Sequence, residues 1–510
     1  MEKTLKNQLT EEILRARTRV YKVGEPQPLQ KLPYTEGHYE IFIKREDLGP
    51  INAYKWRGAY NAACVHHEKT GCKTVVAASA GNHAQGLALA ARELGIKAKI
   101  FMPISTPMMK QISVKRHGGD NVEIVLIGDA YDEASQAAKE FCAKENLTYI
   151  HPFDDLYTIA GQATIADEVI DADTGPFDIV FLQIGGGGMA AGVAARLKMH
   201  NPEIKIIGVE GVGQACMKAS IESGAPITLN NIDTFCDGTA VVRPGDLTFE
   251  ICKDYIDEYI TVTNEEVSAA IATLWNTKRV IPEPSGAMGL AGLLKYAEEN
   301  ASAVKGKKLL AVLSGANMDF SKLGMITQAS AIGAHGRRYL RFNLDEKKGE
   351  LLHLLDSIFT DVNVSEFLYG KTSSNVGHPV IAFEAKPARM AQLECDLATA
   401  GLSFDDVTQD ADIRYRIINY NAGLLKHPSL MHIHFPERKG ALRDFLRKIS
   451  GIADIFYFNY TYTGETIGRA LMGFDFASAA DHDKFADILK NTSITAKPVD
   501  EAAAARILAA

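Results

Sequence analysis

Five short segments combine reactive side chains with glycine and small polar residues, the types that bind anions and carry out covalent chemistry. They are KREDLGPINAYKWRGAY (44–60), SAGNHAQG (79–86), IGGGGMAAG (184–192), IPEPSGAMG (281–289) and VLSGANMDF (312–320). Three of them directly follow β-branched apolar runs. Because open α/β sheets bind ligands beyond the carboxyl ends of their strands, we expect these turns to meet in one crevice.

Lys55 is the candidate nucleophile. It lies between Tyr54 and Trp56, after a proline-containing loop and before a segment of helical character. An amine placed in this way can attack a carbonyl group. Taken alone, the segment favours a surface lysine with a buried stem over a nucleophile.

Two further segments are candidate anion sites. Ser79, Gly81 and Asn82 offer backbone N–H groups at a predicted helix start, which suits a carboxylate, although an ordinary capping turn would look the same. The four glycines at 185–188 let backbone amides approach a phosphate closely. Ser314, in the turn after the last apolar run, is expected to face the same crevice.

The glycine segment also supports a rival interpretation. Gly185, Gly187 and Ala190 fit the G-x-G-x-x-A dinucleotide pattern, and Glu210 ends the next apolar run, where a ribose-binding acid would lie. A nicotinamide-dependent oxidoreductase is therefore an alternative.

Residues 40–330 carry the pattern of an open α/β domain. Six nearly continuous apolar runs alternate with helical segments, which predicts parallel strands buried on both faces with crossover helices between them. The runs are KTVVAAS (73–79), KAKIFMP (97–103), VEIVLIG (122–128), DIVFLQIG (178–185), KIIGVEG (205–211) and KLLAVLSG (308–315).

The pattern changes after about residue 330, where a segment occurs twice. RFNLDEKKGELLHLLDSI (341–358) aligns with HIHFPERKGALRDFLRKI (432–449), with Gly349 opposite Gly440. The same offset pairs Leu351 with Leu442, Leu354 with Phe445, Leu355 with Leu446, Ile358 with Ile449, Tyr369 with Tyr460, Gly377 with Gly468 and Phe383 with Phe474. Each copy is predicted to be an α+β unit: a strand, a glycine turn, an amphipathic helix and two alternating strands.

The amino-acid composition excludes or disfavours several classes of protein. The 510 residues are 46% hydrophobic and 23% charged with a net charge of -8, which excludes a disordered chain and disfavours nucleic acid as a partner. No apolar run is long enough for a bilayer and no leader pattern precedes the chain, so we expect a cytoplasmic protein without a membrane partner. The seven cysteines lack metal-ligand spacing, which predicts buried thiols and no metal site.

The five motifs, in this order, resemble those of pyridoxal-phosphate enzymes of the tryptophan-synthase β-like fold (fold type II), and among them the threonine deaminases. The resemblance implies that Lys55 holds the cofactor aldehyde covalently, that Asn82 bonds the 3-hydroxyl and that Ser314 lies beside the pyridine nitrogen. The phosphate loop it implies consists of Gly185, Gly186, Gly187, Gly188 and Met189.

The same resemblance implies a reaction and a substrate loop. L-Threonine would be deaminated to 2-oxobutanoate and ammonia, with L-serine giving pyruvate, as the first step of isoleucine biosynthesis. The loop that receives the substrate consists of Ser79, Ala80, Gly81, Asn82 and His83. A non-catalytic amino-acid sensor is the remaining alternative.

Four positions depart from related patterns. Serine racemases of this fold carry a second serine at the place of Ala80, so a racemase is disfavoured. Their divalent-metal site has an acid at the place of Cys216, so that metal is not carried over despite Glu210. Ala53 and Tyr54 replace the more usual Ser-Phe before the lysine, which alters the pocket wall.

The duplicated region resembles the paired ACT-like regulatory modules of biosynthetic threonine deaminases, through LDEKKGEL (344–351) and FPERKGAL (435–442). This implies isoleucine as feedback inhibitor, valine as antagonist and a homotetramer, whereas modules that serve oligomerisation alone are the alternative. The expected domains are 1–330 for catalysis, 336–410 for the first module and 429–502 for the second. The strands and turns around Tyr369 and Phe458 are the predicted effector site.

Overall fold

The computed structural model divides the chain into two compact units, Met1–Ile326 and Thr327–Ala510. The structure describes residues 1–33, 38–334, 337–345, 363–368, 376–378, 380–385, 387–410, 427–436, 449, 452–460, 467–490, 492 and 494–508. None of the helices in these ranges is both long and apolar enough to cross a membrane.

The first unit contains two sheets in its described residues. One has the strand order β1-β2-β10-β7-β8-β9, and the other has the order β5-β4-β3-β6. The strands are β1 (Leu29–Lys31), β2 (Glu40–Arg45), β3 (Thr74–Ala78), β4 (Lys97–Met102), β5 (Val122–Leu126), β6 (Thr148–Tyr149), β7 (Ile179–Gln183), β8 (Lys205–Gly211), β9 (Glu258–Val262) and β10 (Lys308–Leu313). All strand pairs are parallel except β1 with β2.

Each of the six predicted runs forms a strand, and the predicted parallel pairing is confirmed. The runs divide between two sheets, however, rather than forming a single layer. Strands β1, β2, β6 and β9 were not predicted from the sequence. Strands β1 and β6 are only two or three residues long, and β2 ends in two buried charged residues that hide its strand pattern.

Helices cover both sheets. They are α1 (Lys3–Val20), α2 (Trp56–Thr70), α3 (Asn82–Leu94), α4 (Met108–Gly118), α5 (Tyr131–Glu145), α6 (Leu156–Asp171), α7 (Gly188–His200), α8 (Cys216–Ser223), α9 (Asp246–Tyr255), α10 (Asn264–Lys278), α11 (Pro284–Glu299), α12 (Ala301–Val304) and α13 (Leu323–Gly333). Short 3-10 turns occupy Glu46–Leu48, Gly119–Asn121, Val212–Gln214 and Phe320–Lys322.

Strand β7 shows why the apolar runs are continuous. Its Val180 and Leu182 pack in a core cluster with α6 and α7, whereas Phe181 points to the opposite face, into a cluster with α10 and α11. Successive side chains of a strand alternate between the two faces, so a strand covered on both faces needs apolar residues at every position.

A buried network of four charged side chains joins β2, α2 and α6. The Lys44 amine lies 2.8 Å from the Glu46 carboxylate and 2.6 Å from that of Glu168. The Arg57 guanidinium binds the same two carboxylates, at 2.8 Å and 2.6 Å. None of the four side chains is more than 4% exposed. The two positive charges therefore balance the two negative ones in the interior. Arg57 lies only two residues after Lys55 in the chain.

The described residues of the second unit form two antiparallel sheets, with orders β12-β14-β11-β13 (β15 also pairs with β11) and β17-β18-β16-β19. The strands are β11 (Arg337–Asp345), β12 (Asn363–Leu368), β13 (Val376–Gly377), β14 (Val380–Glu384), β15 (Ser403–Asp406), β16 (Pro428–Pro436), β17 (Asp454–Tyr460), β18 (Ile467–Asp475) and β19 (Thr495–Pro498). The helices are α14 (Pro387–Thr399), α15 (Ala479–Lys490) and α16 (Glu501–Leu508).

The duplication predicted from the sequence is confirmed at the level of the strands. Strands β11 and β16 begin and end at the same offset that separates Gly349 from Gly440. The pairing of β12 with β14 shifts register between Val364 and Glu366, and that of β17 with β18 shifts between Ile455 and Tyr457, again at this offset. A shared irregularity of this kind indicates two copies of one fold.

The prediction for the two modules missed some elements, and one predicted helix lies outside the described residues. The helix and final strand that close each copy, α14 with β15 and α15 with β19, were not predicted. The predicted amphipathic helix of the first copy, at 351–358, lies outside the described residues.

The buried network yields a prediction for stability. Replacing Arg57 with methionine leaves two buried carboxylates with one lysine, and we expect a loss of about 3–5 kcal/mol because an uncompensated charge stays in the interior. Calorimetric unfolding of the full chain measures it. The matched control is Arg92→Met, which removes an exposed ion pair with Glu93 and is expected to cost less than about 0.5 kcal/mol. Equal unfolding midpoints for the two variants would contradict a stabilising network.

Candidate active site

Lys55 immediately precedes α2, and its turn packs closely against α3. A Cβ atom built on Gly86 would lie 3.1 Å from the Lys55 carbonyl oxygen, so glycine is needed for this approach. The Lys55 Nζ lies 4.9 Å from the centroid of the Tyr54 ring. Within the described part of the chain this amine has no ion-pair partner, which leaves it available for chemistry.

Backbone contacts join three of the five sequence motifs. The Tyr54 N–H donates to the Ser314 carbonyl at 3.0 Å, and the Glu283 N–H donates to the Gly315 carbonyl at 3.1 Å. Ala53 forms a β-bridge with Gly315. The lysine segment, the EPSG segment and the LSGAN segment therefore meet at the end of β10, as the sequence predicted for the turns after parallel strands.

Asn82 connects the SAGN segment to this group through its side chain. Its Nδ2 donates to Glu283 Oε1 at 2.8 Å, and its Oδ1 accepts from Asn317 Nδ2 at 2.8 Å. Glu283 directly precedes α11, but its side chain makes no capping bond to that helix. Burial, and then the charge of Asp237, raise the pKa of the Glu283 carboxyl to about 7, while Lys55 and Lys110 oppose this shift.

The carbonyl groups of the glycine loop between β7 and α7 are taken up by hydrogen bonds, and that of Gly187 accepts from the Ala191 N–H of α7 at 2.8 Å. The Gly186 carbonyl accepts from Thr248 Oγ1 at 2.6 Å, and weaker thiol contacts from Cys216 (3.8 Å) and Cys252 (3.9 Å) reach the carbonyls of Gly185 and Gly187. In a trans peptide the following N–H points the opposite way. Each N–H group of residues 186–188 therefore points away from the contact of the preceding carbonyl, and amides at a helix N-terminus suit an anion.

Two further features of this loop bear on the sequence prediction. Gly187 has φ +95°, a conformation that residues with side chains rarely adopt. The Met189 side chain is only 3% exposed and packs in the core, so only its main chain is accessible to a phosphate. Gln183, just before the loop, donates to the carbonyls of Ser285 and Val312, which ties the loop to the other motifs.

The substrate loop predicted at 79–83 lies at the start of α3. Ser79 Oγ accepts from the Gly81 N–H at 3.2 Å, while Ala80 and Gly81 are partly exposed. The His83 ring is buried and contacts the Ile150 carbonyl through Nε2 at 3.1 Å. Burial lowers the pKa of His83 to about 3, so the ring is neutral and supplies no positive charge to a carboxylate.

Glu210 does not have the geometry of a ribose-binding acid. Its carboxylate is fully buried and accepts the N–H groups of Met217 at 2.9 Å and Lys218 at 2.7 Å, at the start of α8. Both oxygens are therefore used to hold a helix. Among the described residues, no group of three or more His, Cys, Asp or Glu side chains is arranged to hold a metal ion.

Comparison with protein families matches both units. The family described as "Pyridoxal-phosphate dependent enzyme" matches residues 20–315, and the "C-terminal regulatory domain of Threonine dehydratase" matches 328–417 and 424–507. "L-threonine dehydratase biosynthetic IlvA" of Haemophilus influenzae is 39% identical over 468 residues, covering 91% of this chain and 90% of that protein. The chain belongs to the threonine dehydratase family. The corresponding Escherichia coli protein is 36% identical over 485 residues, with 92% of each chain covered.

Solved structures agree with this family. The processed form of threonine deaminase isoform 2 from Solanum lycopersicum matches with a TM-score of 0.61 and 41% identity, covering 64% of this chain and 89% of that one. Maize serine racemase matches with a TM-score of 0.58 and 30% identity, covering 64% and 98%. The chain is a pyridoxal-phosphate-dependent enzyme, so the nicotinamide and sensor interpretations are wrong.

The residues present fit pyridoxal phosphate. The amides of residues 186–188 offer donors to a phosphate, and the Lys55 amine is without an ion-pair partner in the described structure. The Ser314 side chain is only 2% exposed and lies at the end of β10, where the motifs meet. One hydrogen on Asn82 Nδ2 is not used in its bond to Glu283.

Sequence reasoning missed the residues that pack against the glycine loop or hold the helix that bonds to it. Phe153 lies directly against the glycine loop, since a Cβ atom built on Gly186 would be 2.3 Å from its ring. The Asp154 carboxylate accepts the N–H groups of Leu247 and Thr248 and so holds the start of α9, which carries Thr248. The HPFDD segment, which follows β6, could have indicated these residues. The backbone groups that Asp154 binds, however, are about 90 residues away in the chain.

The glycine loop yields a prediction for cofactor binding. In Gly186→Ala the new methyl group would lie 2.3–2.4 Å from three Phe153 ring carbons, so the loop or the ring must move. Overpacking of this kind costs about 1–3 kcal/mol, and we expect pyridoxal phosphate to bind roughly tenfold more weakly or worse. Equilibrium dialysis of the cofactor-depleted protein measures it. The control is Gly324→Ala, where a Cβ atom meets nothing within 4 Å. Equal affinities in the two variants would refute a close-packed cradle.

Proposed function

We propose that the first unit dehydrates and deaminates L-threonine to 2-oxobutanoate and ammonia, with L-serine giving pyruvate as a side reaction. This places the enzyme at the first step of isoleucine biosynthesis. The observation that carries the proposal is the meeting of Lys55, Asn82, Glu283 and Ser314 at one strand end, beside a glycine loop with outward amides. The kinship with biosynthetic threonine dehydratases supports this substrate.

Each predicted site residue receives a role in this proposal. Bound pyridoxal phosphate supplies an electron sink for reactions at the α-carbon of an amino acid. The Lys55 amine binds the cofactor aldehyde, and Asn82 donates to its 3-oxygen. The Ser314 hydroxyl lies beside the pyridine nitrogen. The phosphate is bound by the main chain of Gly185, Gly186, Gly187, Gly188 and Met189.

Lys55 also handles the proton. Lys55 Nζ would also accept the proton from the threonine α-carbon, as a general base. Loss of the β-hydroxyl as water and hydrolysis of the resulting enamine give the keto acid and ammonia. The N–H groups at the start of α3, with Ser79, Gly81 and His83 in the same loop, receive the substrate carboxylate.

Two uncharged side chains favour a lyase. A serine beside the pyridine nitrogen is a poor acid, so it leaves that nitrogen largely unprotonated and favours rapid loss of a β-substituent over a long-lived carbanion. Ala80 carries a methyl group, which offers no proton to the face opposite Lys55. A racemase needs such a proton donor, so elimination is the outcome this site supports.

We assign regulation to the second unit. Residues 1–330 would catalyse the reaction, while 336–410 and 429–502 would form two ACT-like modules that bind isoleucine as inhibitor and valine as antagonist. The family match of the C-terminal region to a regulatory domain supports this division. A cytoplasmic homotetramer is the assembly that the family resemblance implies.

The proposed effector site is described only in part. Tyr369 lies outside the described residues. The backbone of Phe458 belongs to β17 and pairs with Met472 of β18. At the offset between the two copies, the counterpart of Phe458 is Phe367 of β12, and β12 and β17 each lie at an edge of their sheet.

Lys55→Ala tests the catalytic proposal. Without the amine we expect the purified full chain to lose both the visible absorbance of the bound cofactor and the release of 2-oxobutanoate from threonine, by at least about a thousandfold. A coupled assay for the keto acid, with an absorption spectrum, measures both. The control, Lys144→Ala, removes a lysine whose side chain is 82% exposed and should change neither. Undiminished keto-acid release from Lys55→Ala would overturn the assignment.

Isoleucine tests the regulatory proposal. Adding it to the full chain is expected to lower the rate of 2-oxobutanoate release, and valine is expected to restore the rate, because the two would bias opposite states of the second unit. Steady-state rates at fixed threonine measure this. A rate that is independent of isoleucine would instead favour modules that serve assembly alone.

A further inference from the structure

The orientation of the Asn82 carboxamide is determined by its two neighbours. A carboxamide has a donor and an acceptor end of nearly equal size, so its direction must follow from the groups it bonds. Here Asn317 contacts one end and Glu283 the other, each at 2.8 Å. Asn82 itself is 8% exposed, so solvent does not compete freely for either end.

A main-chain carbonyl group determines the orientation of Asn317, and Asn317 in turn orients Asn82. Asn317 Nδ2 lies 2.7 Å from the Ile51 carbonyl oxygen, which can only accept a hydrogen bond. The amide nitrogen of Asn317 must therefore face it, and its second hydrogen reaches Asn82 Oδ1. The reverse orientation of Asn317 would bring two acceptors together.

Glu283 imposes the same direction from the other side. Its Oε1 accepts from Asn82 Nδ2, and the carboxyl is only 5% exposed. Close neighbours restrict its movement: a Cβ atom built on Gly315 would lie 2.8 Å from Oε1, and one on Gly238 would lie 3.3 Å from it. Its backbone is held by the bond to the Gly315 carbonyl.

We propose that Glu283 and Asn317 are positioning residues, a carboxamide clamp, that keeps the second Asn82 N–H directed at the 3-oxygen of pyridoxal phosphate. This inference rests on the proposed role of Asn82. The clamp sets one orientation because the Ile51 carbonyl can only accept, which fixes Asn317 as a donor to Asn82 Oδ1 and leaves Asn82 Nδ2 to donate to Glu283 Oε1. A flipped Asn82 would turn its single oxygen toward the 3-oxygen and Glu283, and its amide nitrogen toward the Asn317 nitrogen, which is itself a donor.

The residues of the clamp come from segments attached to both sheets of the first unit. Asn82 begins α3, which follows β3 of the four-stranded sheet. Glu283 precedes α11, and Asn317 follows β10 of the six-stranded sheet. Asn82, the proposed donor to the cofactor, is thus attached to the four-stranded sheet, whereas the residues that orient it are attached to the six-stranded sheet.

Two nearly isosteric substitutions separate the clamp from general packing. Asn317→Asp replaces the donor with an acceptor, so Asn82 would turn its nitrogen toward the new carboxylate. We expect the affinity of the cofactor-depleted full chain for pyridoxal phosphate to fall at least about tenfold, with a shifted visible band. Glu283→Gln keeps an oxygen acceptor, and we expect its affinity to stay within about twofold of the parent.

Asn82→Ala and Ser268→Ala complete the experiment. Asn82→Ala should weaken cofactor binding at least as much as Asn317→Asp. Ser268→Ala removes a buried hydroxyl of α10, bonded to the Asn264 carbonyl, and should lower thermal stability slightly without changing the affinity. Unfolding of each cofactor-depleted variant shows whether an effect is structural. If Asn317→Asp does not fold, Asn317→Ala is measured, with a smaller loss of affinity expected.

The outcomes distinguish the clamp from the site assignment on which it depends. If Asn82→Ala binds the cofactor as the parent does, the role of Asn82 is wrong and the clamp falls with it. If Asn82→Ala is weakened but Asn317→Asp, or in its place Asn317→Ala, retains the parent affinity and band, the clamp alone is refuted. A loss in Glu283→Gln equal to that in Asn317→Asp would also refute it.

Discussion

The catalytic unit depends on a buried, electrically balanced set of charges. Lys44, Arg57, Glu46 and Glu168 are taken out of water together, which is tolerable only because every charge has an opposite partner within hydrogen-bonding distance. Burial disfavours an ionised Glu46, but Arg57 and Lys44 overcome this and lower its pKa. The network holds the start of α2 and therefore the turn that carries Lys55.

The crevice beside this network is built largely from neutral donors. The glycine loop turns its carbonyls to Thr248 and two buried thiols, which leaves amide hydrogens for an anion. Burial raises the pKa of the Cys216 thiol to about 12, so it stays a neutral donor and adds no negative charge behind the loop. Asn82 and Ser314 add uncharged polar groups, which suits a cofactor that brings its own negative charge.

Sequence reasoning succeeded where a feature is local. The six apolar runs predicted strands because a strand covered on both faces must be apolar throughout. The glycine tetrad stood out because Gly187 has a positive φ and a Cβ atom on Gly186 or Gly188 would clash with Phe153. The duplication was visible because both copies kept their turn and core positions, and even the irregular strand pairing recurs at the same offset. The closing helix and strand of each copy escaped detection, since their patterns had diverged.

The sequence by itself indicated the parts: a candidate nucleophile in Lys55, a glycine turn suited to an anion, a repeated α+β unit and the family they belong to. Only the tertiary structure decided how the parts are held. Glu168 meets Arg57 across 111 residues, and Asn317 meets Asn82 across 235. No local pattern encodes such pairings, because the desolvation that makes them necessary arises only when helices from distant segments close over the same charges and amides.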